Sequence, residues 1–120
     1  TVMANRRMFS LDVVDTDAFI ELPVTAQALY FHLGMRADDD GFISSPKKIT
    51  KMVNCSLDDM KILIESGYLI PFKSGVVVVR DWKVNNYIQK DRYIPTRNQD
   101  EKEQLSERNR VYILIEREAE

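Results

Sequence analysis

The chain has 120 residues, of which 30% are charged and 44% belong to the hydrophobic class. This length and balance exclude a disordered chain and predict one globular domain with its own core. No apolar run approaches the ~20 residues of a transmembrane helix, and the single cysteine cannot form an internal disulfide, so we expect a cytoplasmic protein that does not bind membranes.

The net charge of −2 conceals an uneven distribution along the chain. Residues 71–97 carry six basic and two acidic side chains, a net charge of +4, whereas the segments before and after each carry −3. Because salt screens surface charges beyond about 8 Å, a local basic patch matters more for binding an anionic partner than the total charge does. An ordinary solvated face is the alternative interpretation of these residues.

Two helices are predicted first. A short helix is expected to begin at Asp15, whose carboxylate can cap it, and to end before Pro23. The next helix is predicted from Val24 to Arg36 and is apolar on nearly every face, which makes it the central buried helix. The run Asp38–Asp40 then predicts a hydrated turn, because the spread ligands and closing Glu of a calcium loop are missing.

A pair of helices joined by a short turn is predicted next. Phe42-Ile43 is short enough to form a first strand, and Ser45-Pro46 is typical of a helix start. Asn54-Cys55 predicts the turn between the two helices. Ser56, with Asp59 three residues later, approximates a capping box at the start of the second helix.

A β-hairpin follows the helix pair. Strand-type residues at 69–72 and 76–79 flank Ser74-Gly75, a dipeptide suited to a tight turn. Trp82, at the end of a strand, is expected to anchor the core. Helices followed by a hairpin predict an α+β fold of the winged helix-turn-helix class, in which the hairpin is the wing.

Residues 98–120 are predicted to form an extension of this domain, which itself covers residues 5–97. The segment from Asp100 to Arg110 is charged and compatible with a helix, and Val111 to Ile115 has the composition of a strand. Such an apolar strand must add to the hairpin sheet, pair with another subunit or begin a further region. We therefore expect a helix–strand extension that is either an oligomerisation element or the start of a truncated carboxy-terminal region.

No pattern typical of catalysis is present. The sequence has no Gly-rich phosphate loop, no nucleophile elbow, no Cys/His cluster and no histidine besides His32. We therefore expect a protein that is not an enzyme and that holds no metal or cofactor.

Cations, amides and aromatic side chains occur together in and after the second hairpin strand, a combination typical of surfaces that bind nucleic acids. The candidate DNA-binding residues are Lys47, Lys48, Lys51, Lys73, Arg80, Lys83, Asn85, Asn86, Lys90, Arg92, Tyr93 and Arg97. The cations would contact phosphates, and the amides would contact sugars or base edges. Tyr93, and Tyr87 nearby, would stack on bases or donate to phosphate, with core packing as the alternative for either. Asp58 and Asp59 would face phosphates in the first turn of the second paired helix, which disfavours its deep insertion into the major groove.

Several segments together resemble phage replication-initiation proteins of the replisome-organiser type, which have a DnaD-like amino-terminal winged helix. They are Arg6–Phe9, Asp17–Phe19, Ala26–Leu33, Ala37–Phe42, Ser45–Lys47 and Asn85–Tyr93. The resemblance implies an oligomer-forming module that binds double-stranded DNA at a phage origin. It also implies that a separate carboxy-terminal region, absent from this chain, recruits the helicase or its loader. A protein-interaction and oligomerisation module with the same fold, or a transcriptional regulator, are the alternatives.

Overall fold

Seven helices and five short strands lie within residues 5–115, the part of the chain that the computed structural model describes. The elements are α1 (Leu11–Val14), α2 (Asp17–Ile20), α3 (Val24–Met35), β1 (Phe42–Ile43), α4 (Pro46–Met52), α5 (Leu57–Glu65), β2 (Leu69–Pro71), β3 (Val77–Val79), α6 (Trp82–Asn85), α7 (Gln99–Lys102), β4 (Leu105–Arg108) and β5 (Val111–Leu114). They form two small antiparallel sheets packed with helices. The predicted α+β class is therefore confirmed. Among these helices, none combines the length and apolarity needed to cross a membrane.

The first predicted helix is present as α2, and α1 precedes it without having been predicted. The Ser10 hydroxyl caps α1 by accepting the N–H of Asp12, and the Thr16 hydroxyl caps α2 by accepting the N–H of Phe19 at 3.2 Å. The predicted cap Asp15 lies instead at the carboxyl end of α1. That prediction was wrong because the hydroxyl one residue later starts a new helix.

The central helix α3 is present and buried, as predicted. Leu29 and Leu33 are fully buried, and α4 and α5 both pack against this helix. Tyr30 meets Phe19 and Tyr68 edge to face, with ring centroids 5.2 and 5.8 Å apart. This geometry is favourable for aromatic pairs and ties α2 and the start of the hairpin to the same core.

The paired helices α4 and α5 are joined by the four residues 53–56. The predicted capping box is confirmed, since the Ser56 hydroxyl accepts the N–H of Asp59 at 3.2 Å and Asp59 accepts the N–H of Ser56 at 3.0 Å. Asp59 also accepts the hydroxyl of Thr25 on α3 at 2.7 Å. The expectation that Asp59 would face phosphates was wrong, because both of its oxygens are used inside the fold.

The predicted hairpin is confirmed and forms most of the larger sheet. Strand β3 lies between β1 and β2, and Val78 is opposite both Phe42 and Ile70. All three residues of β3 are buried. Gly75 has a φ of 92°, a left-handed conformation that glycine adopts without steric cost in the predicted turn.

Trp82 anchors the core as predicted, although it begins α6 rather than ending a strand. Its side chain is 1% exposed, and its Nε1–H donates to the backbone carbonyl of Asp39 at 2.9 Å. Gly41 has a φ of 89°, and a Cβ atom there would lie 2.6 Å from the Trp82 Cγ. The indole ring therefore packs directly against residues 38–41. We call Asp38–Asp40 the acidic turn.

The prediction of a helix from Asp100 to Arg110 was wrong, because α7 ends at Lys102 and β4 follows it. Asn109 and Arg110 form the turn between β4 and β5, with φ of 52° and 65°. Two successive left-handed residues are what a two-residue hairpin requires, so the chain reverses and pairs with itself. The apolar strand predicted at 111–115 is confirmed as β5, and its pairing with β4 explains why the charged segment is extended.

The β4–β5 hairpin packs on the rest of the fold through one aromatic side chain. Tyr112 is buried, and its hydroxyl donates to the backbone carbonyl of Asp40 at 2.8 Å. Its backbone N–H donates to the carbonyl of Arg80 at 3.0 Å. Residues 116–120 of the predicted extension lie outside the described residues.

Candidate nucleic-acid interface

The acidic turn holds the basic segment that follows α6. Asp40 accepts the hydroxyl of Tyr93 and the backbone N–H of Thr96, each at 2.8 Å. Asp39 accepts the backbone N–H of Ile94 at 3.0 Å. The prediction of a hydrated turn was wrong, because Asp40 is only 2% exposed and its carboxylate fixes the conformation of residues 93–96.

Two of the three carboxylates of the acidic turn have cationic partners inside the fold. Asp39 pairs with Arg7 at 3.0 Å, and Asp40 lies 3.5 Å from the ammonium group of Lys102. Burial raises the pKa of Asp38, while hydrogen bonds from a hydroxyl and two backbone N–H groups oppose that shift. Asp39 and Asp40 are therefore compensated, whereas Asp38 is stabilised by hydrogen bonds alone.

Three of the predicted DNA-binding residues lie together on α4. Lys47, Lys48 and Lys51 are exposed, and none forms an ion pair within residues 5–115. Pro46 and Thr50 are buried on the other side of the helix. Because that side faces the core, the three ammonium groups project into solvent, where they are available to phosphates.

A groove of about 480 Å³ lies between the start of α4, β1 and residues 94–98, and we call it the Arg97 groove. Arg97 and Arg36 are both exposed, and neither pairs with a carboxylate in the described part of the chain. The remaining lining residues are Arg7, Asp38, Asp39, Phe42, Ile43, Ser44, Ser45, Ile49, Ile94, Pro95, Thr96 and Asn98. The groove thus brings the predicted residue Arg97 beside the lysine-bearing helix.

The other predicted cations divide into two groups. Lys73, in the β2–β3 turn, and Lys90 and Arg92, after α6, are exposed and form no ion pair with any residue described. Arg80 instead pairs with Asp81 at 3.0 Å, and Lys83 pairs with Glu107 at 2.8 Å. The latter two contribute less positive charge than the sequence suggested.

Asn85 and Asn86 have internal roles, so the structure corrects their assignment to the interface. Asn85 accepts the N–H of Ser10 at 2.8 Å and donates to the hydroxyl of Tyr30 at 2.9 Å. Asn86 accepts the N–H of Met8 at 2.8 Å and donates to its carbonyl at 3.1 Å. Both amides are buried and fix the amino-terminal segment, because backbone groups there have no sheet partner.

Tyr93 also has an internal partner. Burial raises the pKa of Tyr93, and its hydrogen bond to the Asp40 carboxylate raises it further. The hydroxyl therefore stays protonated and acts as a donor to Asp40 rather than to a phosphate. The edge of its ring still lines a second groove.

This second groove, of about 470 Å³, we call the Tyr87 groove. Its lining residues are Asp39, Asp40, Trp82, Lys83, Asn86, Tyr87, Ile88, Tyr93 and Arg110. Tyr87 is 79% exposed, the largest exposure of any aromatic side chain described. Arg110 comes from the β4–β5 turn, so the carboxy-terminal hairpin contributes a cation to this groove.

The sequence did not place Arg36 or Arg110 in the candidate set, and it indicated Tyr87 only as a residue that could stack on bases or donate to phosphate. Arg36 ends an apolar helix and Arg110 lies in an acidic segment, so neither falls within the +4 region. Tyr87 alone carried a signal, as an aromatic residue among cations.

The exposed face of α5 is not basic. Asp58, Lys61 and Glu65 are exposed at helical spacing, and they sum to one negative charge. That α5 does not insert deeply among phosphates stays a prediction. No group of three or more His, Cys, Asp or Glu side chains within residues 5–115 is arranged to hold a metal ion.

Comparisons with protein-family models, with curated proteins and with solved structures find no match to this chain.

Proposed function

We propose that the chain is a winged-helix DNA-binding domain of a phage or prophage replication initiator, that it acts in the cytoplasm, and that it binds double-stranded origin DNA. One observation carries the proposal. Seven of the twelve predicted DNA-binding residues are exposed cations with no ion pair in the described chain: Lys47, Lys48, Lys51, Lys73, Lys90, Arg92 and Arg97. Uncompensated cations on several elements are what a phosphate backbone attracts.

The order of elements supports the winged-helix assignment. A strand precedes α4, four residues join α4 to α5, and the β2–β3 hairpin follows. The short connection is typical of a helix-turn-helix, and a hairpin in this position is the wing. Lys73 lies in the turn of that hairpin, where a wing would meet DNA.

Binding on this surface is dominated by phosphate contacts. The lysines of α4, the wing and the segment 90–97 would each neutralise a phosphate and release a condensed counterion. The exposed carboxylates Asp58 and Glu65 keep α5 from lying deep in the major groove. Modest sequence discrimination and a steep dependence on salt are therefore expected.

A salt series of fluorescence anisotropy titrations with a labelled duplex of about 25 base pairs tests the proposal. The variant Lys90→Glu with Arg92→Glu removes two phosphate contacts, so the slope of log K against log salt should fall by about 1.8. Affinity at low salt should fall at least about tenfold. Folding should be unchanged, because both side chains are exposed.

The matched control is Lys61→Glu with Arg108→Glu, which changes the net charge equally at exposed positions outside the proposed surface. This control should lose little affinity. An equal loss in both variants would mean that total charge sets the affinity and would contradict the proposed surface. No binding of the unmodified protein at low salt would refute the function itself.

An oligomerisation role is the second candidate, and it is favoured by exposed apolar residues in and beside β5. Ile113, Leu114 and Ile115 are 42%, 45% and 46% exposed. A symmetric dimer through this strand would cover them and double the basic surface presented to DNA. Ile113→Glu should then convert a dimer to a monomer in light scattering, and a monomer before the substitution would exclude this role. Recruitment of a helicase or its loader would belong to a carboxy-terminal region beyond these residues.

A further inference from the structure

We infer that the Tyr87 groove binds an unpaired base of single-stranded DNA, with the Tyr87 ring as the stacking surface and Arg110 as the contact for the adjoining phosphate. The inference rests on the proposed DNA-binding function and adds a second mode of binding to it. The duplex surface lies on α4, the wing and the segment 90–97, whereas the stacking ring Tyr87 and the cation Arg110 lie outside those elements.

Tyr87 has no structural partner that explains its position. Its side chain is 79% exposed, and no other aromatic ring in the described chain contacts it. The neighbouring asparagine fixes the backbone just before it, since Asn86 is buried and bonded to Met8. An aromatic ring presented to solvent from an anchored backbone is prepared to stack on a flat ligand at small entropic cost.

The rest of the groove matches a nucleotide. Ile88 and Tyr93 supply apolar and aromatic surface, and Arg110 and Lys83 supply positive charge. Lys83 is paired with a carboxylate at 2.8 Å, which leaves Arg110 as the cation without an ion pair among the lining residues described. The two carboxylates that line the groove, at positions 39 and 40, are already compensated by Arg7 and Lys102 as described above.

Arg110 occupies a backbone conformation that does not suit it. With a φ of 65°, it holds the second position of a two-residue hairpin turn, where glycine is the preferred residue. A side chain with a Cβ atom is disfavoured in this region, so arginine here destabilises the turn relative to glycine. Strained residues of this kind are concentrated at binding sites, which agrees with a ligand contact for this guanidinium.

The size and chemistry of the site favour an unpaired base over a duplex. A groove of about 470 Å³ is in the range of small-molecule pockets and cannot admit stacked base pairs. Base faces are accessible for stacking on a protein ring only where the strand is unpaired. An aromatic surface next to a cation is the common arrangement in proteins that bind single strands.

The test compares binding of labelled dT10 and of the labelled duplex to the full chain and to Tyr87→Ala, Tyr87→Phe and Arg110→Gly. Tyr87→Ala should weaken binding of dT10 by about 5- to 150-fold and leave the duplex within twofold. Tyr87→Phe keeps the ring and should bind dT10 within about twofold of the unmodified protein. Arg110→Gly should weaken binding of dT10 several-fold while the melting temperature stays the same or rises.

Each outcome decides between the two binding modes. The inference would be overturned if Tyr87→Ala bound dT10 as tightly as the unmodified protein does. It would also be overturned if the unmodified protein bound the duplex but had no affinity for dT10. If Tyr87→Phe lost as much dT10 affinity as Tyr87→Ala, the contact would be made by the hydroxyl group and not by stacking, which would also overturn the inference. Loss of duplex affinity in the Lys90 and Arg92 variant, with dT10 binding kept, would separate this site from the duplex surface. Trp82 fluorescence reports folding in every variant.

Discussion

Removing the Asp40 carboxylate should release the basic segment from the fold at a large cost in stability. In Asp40→Ala, the hydroxyl of Tyr93 and the N–H of Thr96 lose their acceptor, and Lys102 loses its partner. Hydrogen bonds to a charged group contribute about 1.5–3 kcal/mol each, so the two bonds bring about 3–6 kcal/mol. Hydration of the half-exposed Lys102 and of the freed hydroxyl recovers part of this, and we expect a loss of about 3–5 kcal/mol.

A double-mutant cycle with Tyr93→Phe assigns the effect to the contact. Alone, this substitution removes the hydrogen bond to the Asp40 carboxylate and the oxygen that accepts the Lys102 ammonium at 3.2 Å, and it should cost about 1.5–3 kcal/mol. In the Asp40→Ala background only the contact with the partly exposed Lys102 is left to lose, so the cost should be below about 1 kcal/mol and the coupling energy should be about 1–2 kcal/mol. Tyr87→Phe is the matched control, since that exposed hydroxyl has no partner within the described residues, and it should change stability by less than about 0.5 kcal/mol.

Urea unfolding followed by Trp82 fluorescence measures these differences, because this is the single tryptophan of the chain. For 120 residues, 1 kcal/mol corresponds to about 4 °C in melting temperature, so Asp40→Ala should melt about 12–20 °C lower. A cost below about 1 kcal/mol would refute the reasoning. So would an effect of Tyr93→Phe that is the same in both backgrounds.

Two further predictions concern the core and the α5 cap. Gly41→Ala should lower the free energy of unfolding by about 2–5 kcal/mol, because the φ is unfavourable for alanine and the new Cβ would clash with Trp82. Gly75→Ala has a similar φ but open space around it, so it should cost only about 1–2 kcal/mol. Thermal or urea unfolding measures both, and equal costs would contradict the packing argument. Burial opposes ionisation of Asp59, but hydrogen bonds from Ser56 and a threonine hydroxyl outweigh it and lower the Asp59 pKa. The folded pKa is below the unfolded value of about 3.9, so this stabilisation is present above about pH 4 and is lost as pH falls through the folded pKa. Asp59→Asn should therefore destabilise the protein at pH 7 and flatten the acid limb of a stability–pH profile, and an unchanged acid limb would contradict the assignment.

Local sequence determined the elements whose signals lie within a few residues. The sequence predicted α3 from its apolar pattern, the capping box at Ser56 and the turn at Gly75. Each of these depends on side chains that contact their own neighbours in the chain. The hairpin and the α+β class followed from them. The tail was misread because helix and strand signals compete in a charged segment, and only pairing with β5 decided in favour of a strand.

The roles of the polar residues depended on tertiary contacts. Asn85 and the acidic turn looked like surface groups, yet their partners lie 75 and more than 50 residues away in sequence, which no local pattern encodes. The same long-range contacts decide which cations remain free. Sequence therefore supplied the types of side chain that a DNA-binding surface needs, and the tertiary structure decided their use. Burial next to a distant partner turns a polar group into a structural one, and only solvent exposure leaves it available to a ligand.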